Sequence, residues 1–304
     1  MALRGILADG RLFLDMKLIT AAAALLLLVL AGGVLAMDNS SGGKPCASCA
    51  KKIAAQVFLL ESSGVKVPEP AAPEAPAEPG WTEIGRGAWL HGEQGTGGTL
   101  FIGYAGYGAD GEGARNWAGA VAAAKGWKTV IAVAGPDKVY YEHKEKLEAN
   151  TLILTGLIPR LAPARIVIAA HSSGSFVAKE FMALIEKLGK KELLRKISYY
   201  DLDGGPCGAC RKYADDPANA GFLFTCVSAI QPDGPSAPNL DGMKSCGKYY
   251  LELKAEGAGC SGAWCLHGWL VNRNASKLDP VRPKTREYYL SPSLAPATSY
   301  FKEN

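Results

Sequence analysis

The sequence predicts an α/β fold in which a mostly parallel sheet carries helices on both faces, forming a three-layer sandwich. Short apolar runs rich in β-branched residues alternate with segments of helical periodicity over residues 81–253, which is typical of a parallel sheet. The chain has 304 residues, of which 48% are hydrophobic and 20% charged. This is enough for one good-sized α/β domain with extensions. A strand–turn–helix unit over residues 166–188 is the most informative single stretch.

The N-terminus has the pattern of an export signal. Lys17 precedes an apolar run, and Val34 and Ala36 occupy the small-residue positions read at a cleavage site. We therefore expect residues 1–36 to be a signal peptide and the protein to be secreted or periplasmic. If the segment is retained, it is instead an N-terminal anchor that tethers the protein to a membrane, because its apolar part approaches the length of a span.

Composition divides the remaining chain into three parts. Residues 37–65 form a short cysteine-containing segment, and residues 66–80 are a linker rich in proline, alanine and glutamate. Such a linker cannot bury enough surface to fold. The main domain is predicted over residues 81–304 and includes a C-terminal tail with no recognisable motif.

Within the main domain, apolar runs and helical spacing define the elements in order. Strands are predicted as one or two edge strands within 82–90 and then at 99–104, 129–134, 166–170, 196–202, 222–230 and 249–253. Helices are predicted at 114–125, 145–161 and 177–188, the last ending at Gly189 as a C-terminal cap.

A serine lies at the apex of the turn after strand 166–170, in the string Ala170-His171-Ser172-Ser173-Gly174. Small residues on both sides let strand and helix pass close together while the serine is held in a strained conformation. The turn resembles the nucleophile elbow of the α/β-hydrolase superfamily, with Ala170 in place of the first glycine. The resemblance covers roughly residues 81–270. It implies the α/β-hydrolase fold and an esterase- or lipase-like serine hydrolase.

In this superfamily the catalytic order is serine, acid, histidine, with the histidine after the last strand. Among the four histidines of the chain, His267 alone has that place, and we expect it in a glycine-rich loop. His171 is adjacent to the serine and cannot swing its ring onto the hydroxyl, so it is expected to support packing. His91 and His143 precede the elbow.

Three aspartates are candidates for the triad acid. Asp233 follows the penultimate strand, the commonest place for this residue in the superfamily. Asp203 follows the strand before that, a position used in some lipases of the fold. The sequence leaves these two nearly equal, with Asp241 behind them.

The resemblance also implies an oxyanion hole made of backbone N–H groups. One would come from Ser173, and the second from Ala105 or Gly106 in the glycine-rich loop after strand 99–104. That loop lacks the Gly-x-Gly-x-x-Gly spacing of a phosphate-binding loop. Four aromatic residues flank these loops and are candidates to line an acyl pocket: Tyr104, Tyr107, Trp264 and Trp269.

Eight cysteines lie beyond the apolar N-terminal segment, and in an exported chain an even number indicates disulfides. Neighbours in sequence suggest four local pairs: Cys46–Cys49, Cys207–Cys210, Cys226–Cys246 and Cys260–Cys265. A zinc site built from the two Cys-x-x-Cys pairs is the rival interpretation, and wide separation and an oxidising compartment count against it.

These observations predict an exported serine hydrolase that cleaves a small-molecule or lipid ester through an acyl-enzyme, with no metal or cofactor required. A net charge of +4, without a long basic run, argues against a nucleic-acid partner. Two other classes remain open. One is a non-catalytic binding protein on the same scaffold, and the other is a thiol-disulfide or zinc protein that uses the Cys-x-x-Cys pairs.

Overall fold

The structure is a computed structural model that describes residues 80–92, 97–136, 144–278, 285–291 and 293–302. The predicted signal segment, the N-terminal cysteine segment and residues 66–79 of the predicted linker lie outside these ranges. Within them, no helix has the length and apolar character needed to cross a membrane.

Eight strands form one sheet in the order β1-β2-β4-β3-β5-β6-β7-β8. β2 pairs antiparallel with both β1 and β4, and all other neighbouring strands run parallel. The strands are β1 (Trp81–Gly85), β2 (Ala88–His91), β3 (Thr99–Tyr104), β4 (Thr129–Val133), β5 (Arg165–His171), β6 (Ile197–Leu202), β7 (Leu223–Ile230) and β8 (Tyr250–Lys254). Every predicted strand is present with closely similar bounds, and the mostly parallel sheet is confirmed.

Helices and helical turns connect the strands. The α-helices are α1 (Gly111–Lys125), α2 (Lys144–Leu152), α3 (Ile158–Leu161), α4 (Gly174–Lys187), α5 (Gly208–Asp215), α6 (Leu240–Lys244), α7 (Ala263–Trp269) and α8 (Thr285–Leu290). A π-helical turn spans Ile153–Leu157, and short 3₁₀ turns span Lys191–Lys196, Pro217–Asn219, Gly247–Tyr249 and Ala275–Lys277.

The sheet is buried on both faces, as the alternation of side chains along β5 shows. Ile166 and Ile168 belong to one apolar cluster, together with residues of the π-helical turn, α3 and α4. Val167 and Ala169 point to the other face and pack with residues of α1, α7 and α8. Successive side chains of a strand point to opposite faces, so a strand buried on both sides is a continuous apolar run. The three-layer sandwich is confirmed.

One predicted helix is not continuous. The stretch predicted as a helix over 145–161 consists of α2, the π-helical turn and α3. Pro159 lacks a backbone N–H and cannot join the regular hydrogen-bond ladder, and Gly156 is a weak helix former. Hydrophobic spacing predicts which face is buried but does not register such a change of helical pitch.

Candidate active site

Ser172 lies in the turn between the end of β5 at His171 and the start of α4 at Gly174. Its φ is 55°, in the left-handed region that non-glycine residues rarely occupy. Its N–H donates to the carbonyl of Leu202 on β6 at 2.9 Å, which holds the turn in place. A side chain at Gly174 would overlap the carbonyl oxygens of Ala105 and Tyr104, so the start of α4 passes close to the end of β3 and requires a glycine there.

His267 and Asp203 form a buried pair. The two residues are joined by a contact of 2.5 Å between His267 Nδ1 and Asp203 Oδ2, and both side chains are almost wholly excluded from solvent. His267 follows β8, as predicted. It lies on helix α7 rather than in a loop, because Leu266 and Trp269 turn an apolar helix face toward the core.

Asp203 is fixed by contacts from several segments. Its φ of 51° marks a second residue in the left-handed region, and its N–H donates to the carbonyl of Val227 at 2.8 Å. The Asn239 amide donates to its carbonyl at 2.6 Å. The Ser228 hydroxyl donates to the carboxylate oxygen Oδ1 at 2.9 Å, leaving Oδ2 to face His267. Sequence reasoning missed Ser228 and Asn239, and no local motif marks them.

The structure does not bring the other aspartates to His267. Asp233 and Asp241 are both exposed, and neither forms a hydrogen bond or ion pair with that histidine. Asp233 lies in the tight turn after β7, where its residue type favours turn formation. Of the three candidates for the acid, Asp203 is therefore the one that the structure brings to His267. His91 packs against Trp81 on β1, and His143 lies outside the described residues.

The remaining nitrogen of His267 is the basic one. When Nδ1 donates its proton to the Asp203 carboxylate, the lone pair of a neutral imidazole lies on Nε2. Nε2 is buried and has no hydrogen-bond partner among the described residues. The Ser172 hydroxyl forms no hydrogen bond within the described ranges either, so the structure does not contain a Ser172–His267 hydrogen bond. Such bonds often tighten only when substrate is bound.

The backbone near Ser172 offers two uncommitted N–H groups. The Ser173 N–H, predicted as an oxyanion donor, has no partner in the described part of the chain. The other two predicted donors are corrected, because Ala105 N–H donates to Val133 at 3.0 Å and Gly106 N–H to Tyr289 Oη at 2.8 Å. The next residue, Tyr107, has an N–H without a described partner.

Gly106 brings this loop against the elbow. A Cβ built on Gly106 would lie 3.1 Å from Ser172 Cβ and 3.2 Å from His171 Nδ1. These separations are tighter than ordinary contacts, so the absence of a side chain lets the loop approach the serine. The peptide between Gly106 and Tyr107 is therefore near the place where a tetrahedral oxyanion would form.

His171 is fully buried between the elbow and the C-terminal part of the domain. Its Nδ1 lies 2.6 Å from Tyr289 Oη, and its Nε2 lies 3.0 Å from the carbonyl oxygen of His267. Burial, and then the neighbouring His267, hold the pKa of His171 well below its usual range, so the ring is neutral. The expected packing role is compatible with this position.

A buried ion pair supports the loop that carries Asp203. Asp201, on β6, accepts the Gly204 N–H at 3.0 Å and lies 3.1 Å from Lys179 Nζ on α4. Burial raises the pKa of Asp201, and Lys179 opposes that rise. Lys179 also donates to the carbonyl of Pro206 at 3.2 Å. Helix α4 is therefore connected both to the end of β6 and to the acid loop, residues 203–207.

The four aromatic candidates for an acyl pocket separate into two groups. Tyr104 and Trp269 are buried core residues, so their assignment to a pocket lining is corrected. Tyr107 and Trp264 are 42% and 43% exposed, and the Trp264 ring lies edge-on to His267 with 5.5 Å between ring centroids.

The cysteines only partly follow the predicted pairing. Cys260 is joined to Cys265, next to the start of α7. The predicted Cys207–Cys210 pair is corrected, because Cys210 is a buried free thiol and Cys207 contacts Cys246 and Cys226. The fold brings β7, the acid loop and the segment after α6 together, which sequence separation could not show.

Cys226 contacts Cys246, as the sequence pairing had it, so three cysteine sulfurs share one place. Within the described ranges, Cys207, Cys226 and Cys246 are the group whose potential metal-ligand atoms lie within 4.8 Å of one another. The pair Cys46–Cys49 lies outside the described residues.

Comparison with known proteins gives structural likenesses alone. No protein-family model matches the sequence, and no curated protein matches it. The structure resembles an iron-lacking apo form of ESTFA, with 13% identity, a TM-score of 0.39, and coverage of 82% of this chain and 93% of that one. It also resembles EstE1, a thermophilic carboxylesterase from a metagenomic library, with 15% identity, a TM-score of 0.35, and coverage of 68% and 85%. A histone deacetylase from Saccharomyces cerevisiae is similar at 10% identity and a TM-score of 0.36, with coverage of 69% and 91%.

The architecture is defined by the chain's own topology. The sheet is parallel from β3 to β8, β2 runs antiparallel to its neighbours, and a strained serine lies between β5 and the following helix. A histidine after the last strand is paired with an aspartate in the order that the serine-hydrolase template requires. The chain therefore has the α/β-hydrolase fold.

Proposed function

We propose that the protein is a serine hydrolase that cleaves carboxylic esters, with Ser172 as nucleophile, His267 as base and Asp203 as the acid. The observation that supports this most directly is the buried Asp203–His267 pair. Nε2 of His267 has no hydrogen-bond partner among the described residues. The Asp203 contact holds the imidazole proton on Nδ1, which leaves the basic lone pair on Nε2, the atom that a general base needs.

The proposed reaction follows from the roles of these atoms. His267 Nε2 takes the Ser172 proton as the serine oxygen attacks the ester carbonyl, and Asp203 stabilises the imidazolium that forms. The imidazolium then gives the proton to the leaving alkoxide, which departs as an alcohol and leaves an acyl-enzyme. Water, deprotonated by the same nitrogen, releases the acid and restores Ser172.

The carbonyl oxygen becomes negatively charged during the attack and requires hydrogen-bond donors. We assign this role to the N–H groups of Ser173 and Tyr107, which have no partner in the described structure and flank the serine. Donors held in place before the reaction stabilise the oxyanion without reorganisation.

The substrate is proposed to be a small-molecule or lipid ester. Tyr107 and Trp264 expose apolar rings next to the proposed oxyanion donors and to His267, where an acyl or alcohol group would pack. We also propose that the protein is exported, because residues 17–36 have the signal-peptide pattern.

The test is hydrolysis of p-nitrophenyl acetate, butyrate and octanoate by the purified protein. Ser172→Ala and His267→Ala are each expected to lower kcat by about 10³-fold or more, because each removes a group that acts only as part of the triad. The matched control is His91→Ala, which removes a histidine from the β1–β2 edge of the sheet and is expected to retain activity.

A non-catalytic binding protein is the second candidate. The observation in its favour is that the structure lacks a Ser172–His267 hydrogen bond. A folded wild-type protein that hydrolyses none of the three esters would contradict the hydrolase proposal and favour this alternative.

A further inference from the structure

A single tyrosine hydroxyl in the C-terminal part of the domain connects two segments of the proposed active site. Tyr289 Oη lies 2.8 Å from the Gly106 nitrogen and 2.6 Å from His171 Nδ1. Tyr289 is fully buried, and its ring lies edge-on to Trp117 of α1 with 5.9 Å between ring centroids. This packing fixes the hydroxyl in place.

The hydrogen bonds around Tyr289 and His171 form one linked series. The direction of each bond follows from which of its two atoms can donate a proton. The His267 carbonyl can only accept, so His171 Nε2, at 3.0 Å, must carry the proton. His171 is neutral, so its Nδ1 has no proton and accepts from the Tyr289 hydroxyl. The Gly106 N–H can only donate, and it donates to the same hydroxyl oxygen. Every donor then has one acceptor, and a single tautomer of His171 satisfies all of them.

These linked hydrogen bonds therefore join three segments with distinct proposed roles. Gly106 immediately precedes Tyr107, a proposed oxyanion donor. His171 immediately precedes the nucleophile Ser172, and the carbonyl at the far end belongs to the base His267 itself. Small errors in such mutual placement have large effects on rate, with about 1 Å of misplacement costing about 100-fold.

We propose that Tyr289 is a positioning residue. It acts through His171 to hold the Gly106–Tyr107 loop, the elbow and helix α7 in fixed positions relative to one another. This inference rests on the proposed hydrolase function. It gives the C-terminal segment, in which the sequence shows no motif, a part in completing the site.

The first experiment compares Tyr289→Phe with Tyr300→Phe. Both tyrosines are buried in the C-terminal part, and each variant removes one hydrogen-bonded hydroxyl, but Tyr300 donates to the Leu270 carbonyl and does not contact Gly106 or His171. The two variants are expected to have similar melting temperatures. Tyr289→Phe is expected to lower kcat for p-nitrophenyl butyrate by about 10- to 100-fold with little change in KM, whereas Tyr300→Phe retains the wild-type kcat.

A second variant protects the test against a folding defect. His171→Asn keeps a short polar side chain but cannot reach the His267 carbonyl, and it is expected to show the same fall in kcat. Because both changes interrupt one network, the double variant is expected to lose no more than the more damaging single variant. Independent, multiplicative losses would contradict the proposal, as would a Tyr289→Phe enzyme with unchanged kcat.

A spectroscopic measurement separates this inference from the proposed function. Ring ¹⁵N chemical shifts of the wild-type protein are expected to show neutral His171 protonated at Nε2, whether or not the protein has activity. Protonation at Nδ1 would overturn the hydrogen-bond chain. An inactive wild type with the expected tautomer would instead contradict the hydrolase proposal.

Discussion

At the scale of single residues, the proposed chemistry depends on how Asp203 is held against His267. Its left-handed backbone, the Ser228 hydroxyl and the Asn239 amide together direct carboxylate oxygen Oδ2 at His267. An aspartate held in this way fixes the imidazole with its proton on Nδ1, which keeps Nε2 basic.

Replacing Asp203 by asparagine tests this role. Asp203→Asn preserves the shape but favours the wrong tautomer, and we expect kcat for p-nitrophenyl butyrate to fall by about 10³- to 10⁴-fold. Asp233→Asn is the control, because that residue is exposed in the turn after β7 and is expected to leave kcat unchanged. The reverse result would restore Asp233 as the acid.

Residues of the site differ in how far sequence could predict them. Ser172 and His267 could be placed because a local turn motif and the order along the chain both constrain them. The choice between Asp203 and Asp233 could not be made, because each follows a strand and only the fold decides which side chain reaches the histidine. Tyr289 was unpredictable for the same reason, since it lies 118 residues beyond His171.

At the scale of elements, the acid loop after β6 is held to the elbow helix α4. Lys179 bridges Asp201 and the Pro206 carbonyl, and Ser175 donates from the start of α4 to the Gly204 carbonyl at 3.2 Å. The proposed nucleophile and the proposed acid therefore lie on elements that share a buried polar contact. This contact gives α4 a role beyond covering the sheet.

Removing the lysine is expected to destabilise this part of the molecule. Lys179→Met leaves the buried Asp201 carboxylate without its cation, and we expect a loss of about 3 kcal/mol in the free energy of unfolding near neutral pH. The measurement is urea denaturation followed by circular dichroism. Lys187→Met, at the exposed end of the same helix, is the control, with an expected change within about 0.5 kcal/mol. Equal stabilities of the two variants would show that the ion pair is unimportant.

Elements whose apolar residues recur at regular spacing could be predicted from the sequence, and irregular elements could not. The strands and the elbow helix were found from apolar runs and helical spacing. The π-helical turn at Ile153–Leu157 was missed, and His267 was assigned to a loop although it lies on α7. Short or irregular helices depend on tertiary packing more than on local propensity, so a single sequence carries little signal for them.

At the scale of the whole molecule, the C-terminal segment completes one layer of the sandwich. Tyr288, Tyr289, Tyr300 and Phe301 are buried against α1 and the sheet on the face that also carries α7. The sequence predicted a tail because this segment lacks a long periodic run. Its contribution comes from isolated aromatic side chains that fill gaps in a core built by distant elements.

The stability of the molecule is expected to depend on Glu180. Burial in α4 raises the pKa of this carboxyl to about 7 from an ordinary value of 4.5. Between the ordinary value of 4.5 and the folded value of about 7, the native state therefore holds a proton that the unfolded state has lost. The contribution to stability is complete below the unfolded pKa and disappears as pH rises through the folded pKa.

Glu180→Gln tests that dependence, because it removes the charge while preserving shape. We expect the variant and wild type to have similar free energies of unfolding at about pH 4, and the variant to be more stable by about 1–3 kcal/mol at about pH 8. Urea denaturation across this range is the measurement. Glu186→Gln, on the same helix, is the control, since Lys212 lowers the pKa of that carboxyl and no gain is expected. A pH-independent difference for Glu180→Gln would contradict the predicted titration.

The most direct test of the central claim is to map the site at which a fluorophosphonate reacts with the folded protein. Such probes attach to a serine whose neighbours have activated it, through the same attack that would form the acyl-enzyme. Mass spectrometry of the digested adduct is predicted to find the label on the peptide containing Ser172, and to find none after Ser172→Ala. A label on another residue, or a folded wild-type protein that takes none, would contradict the assignment of Ser172 as an activated nucleophile.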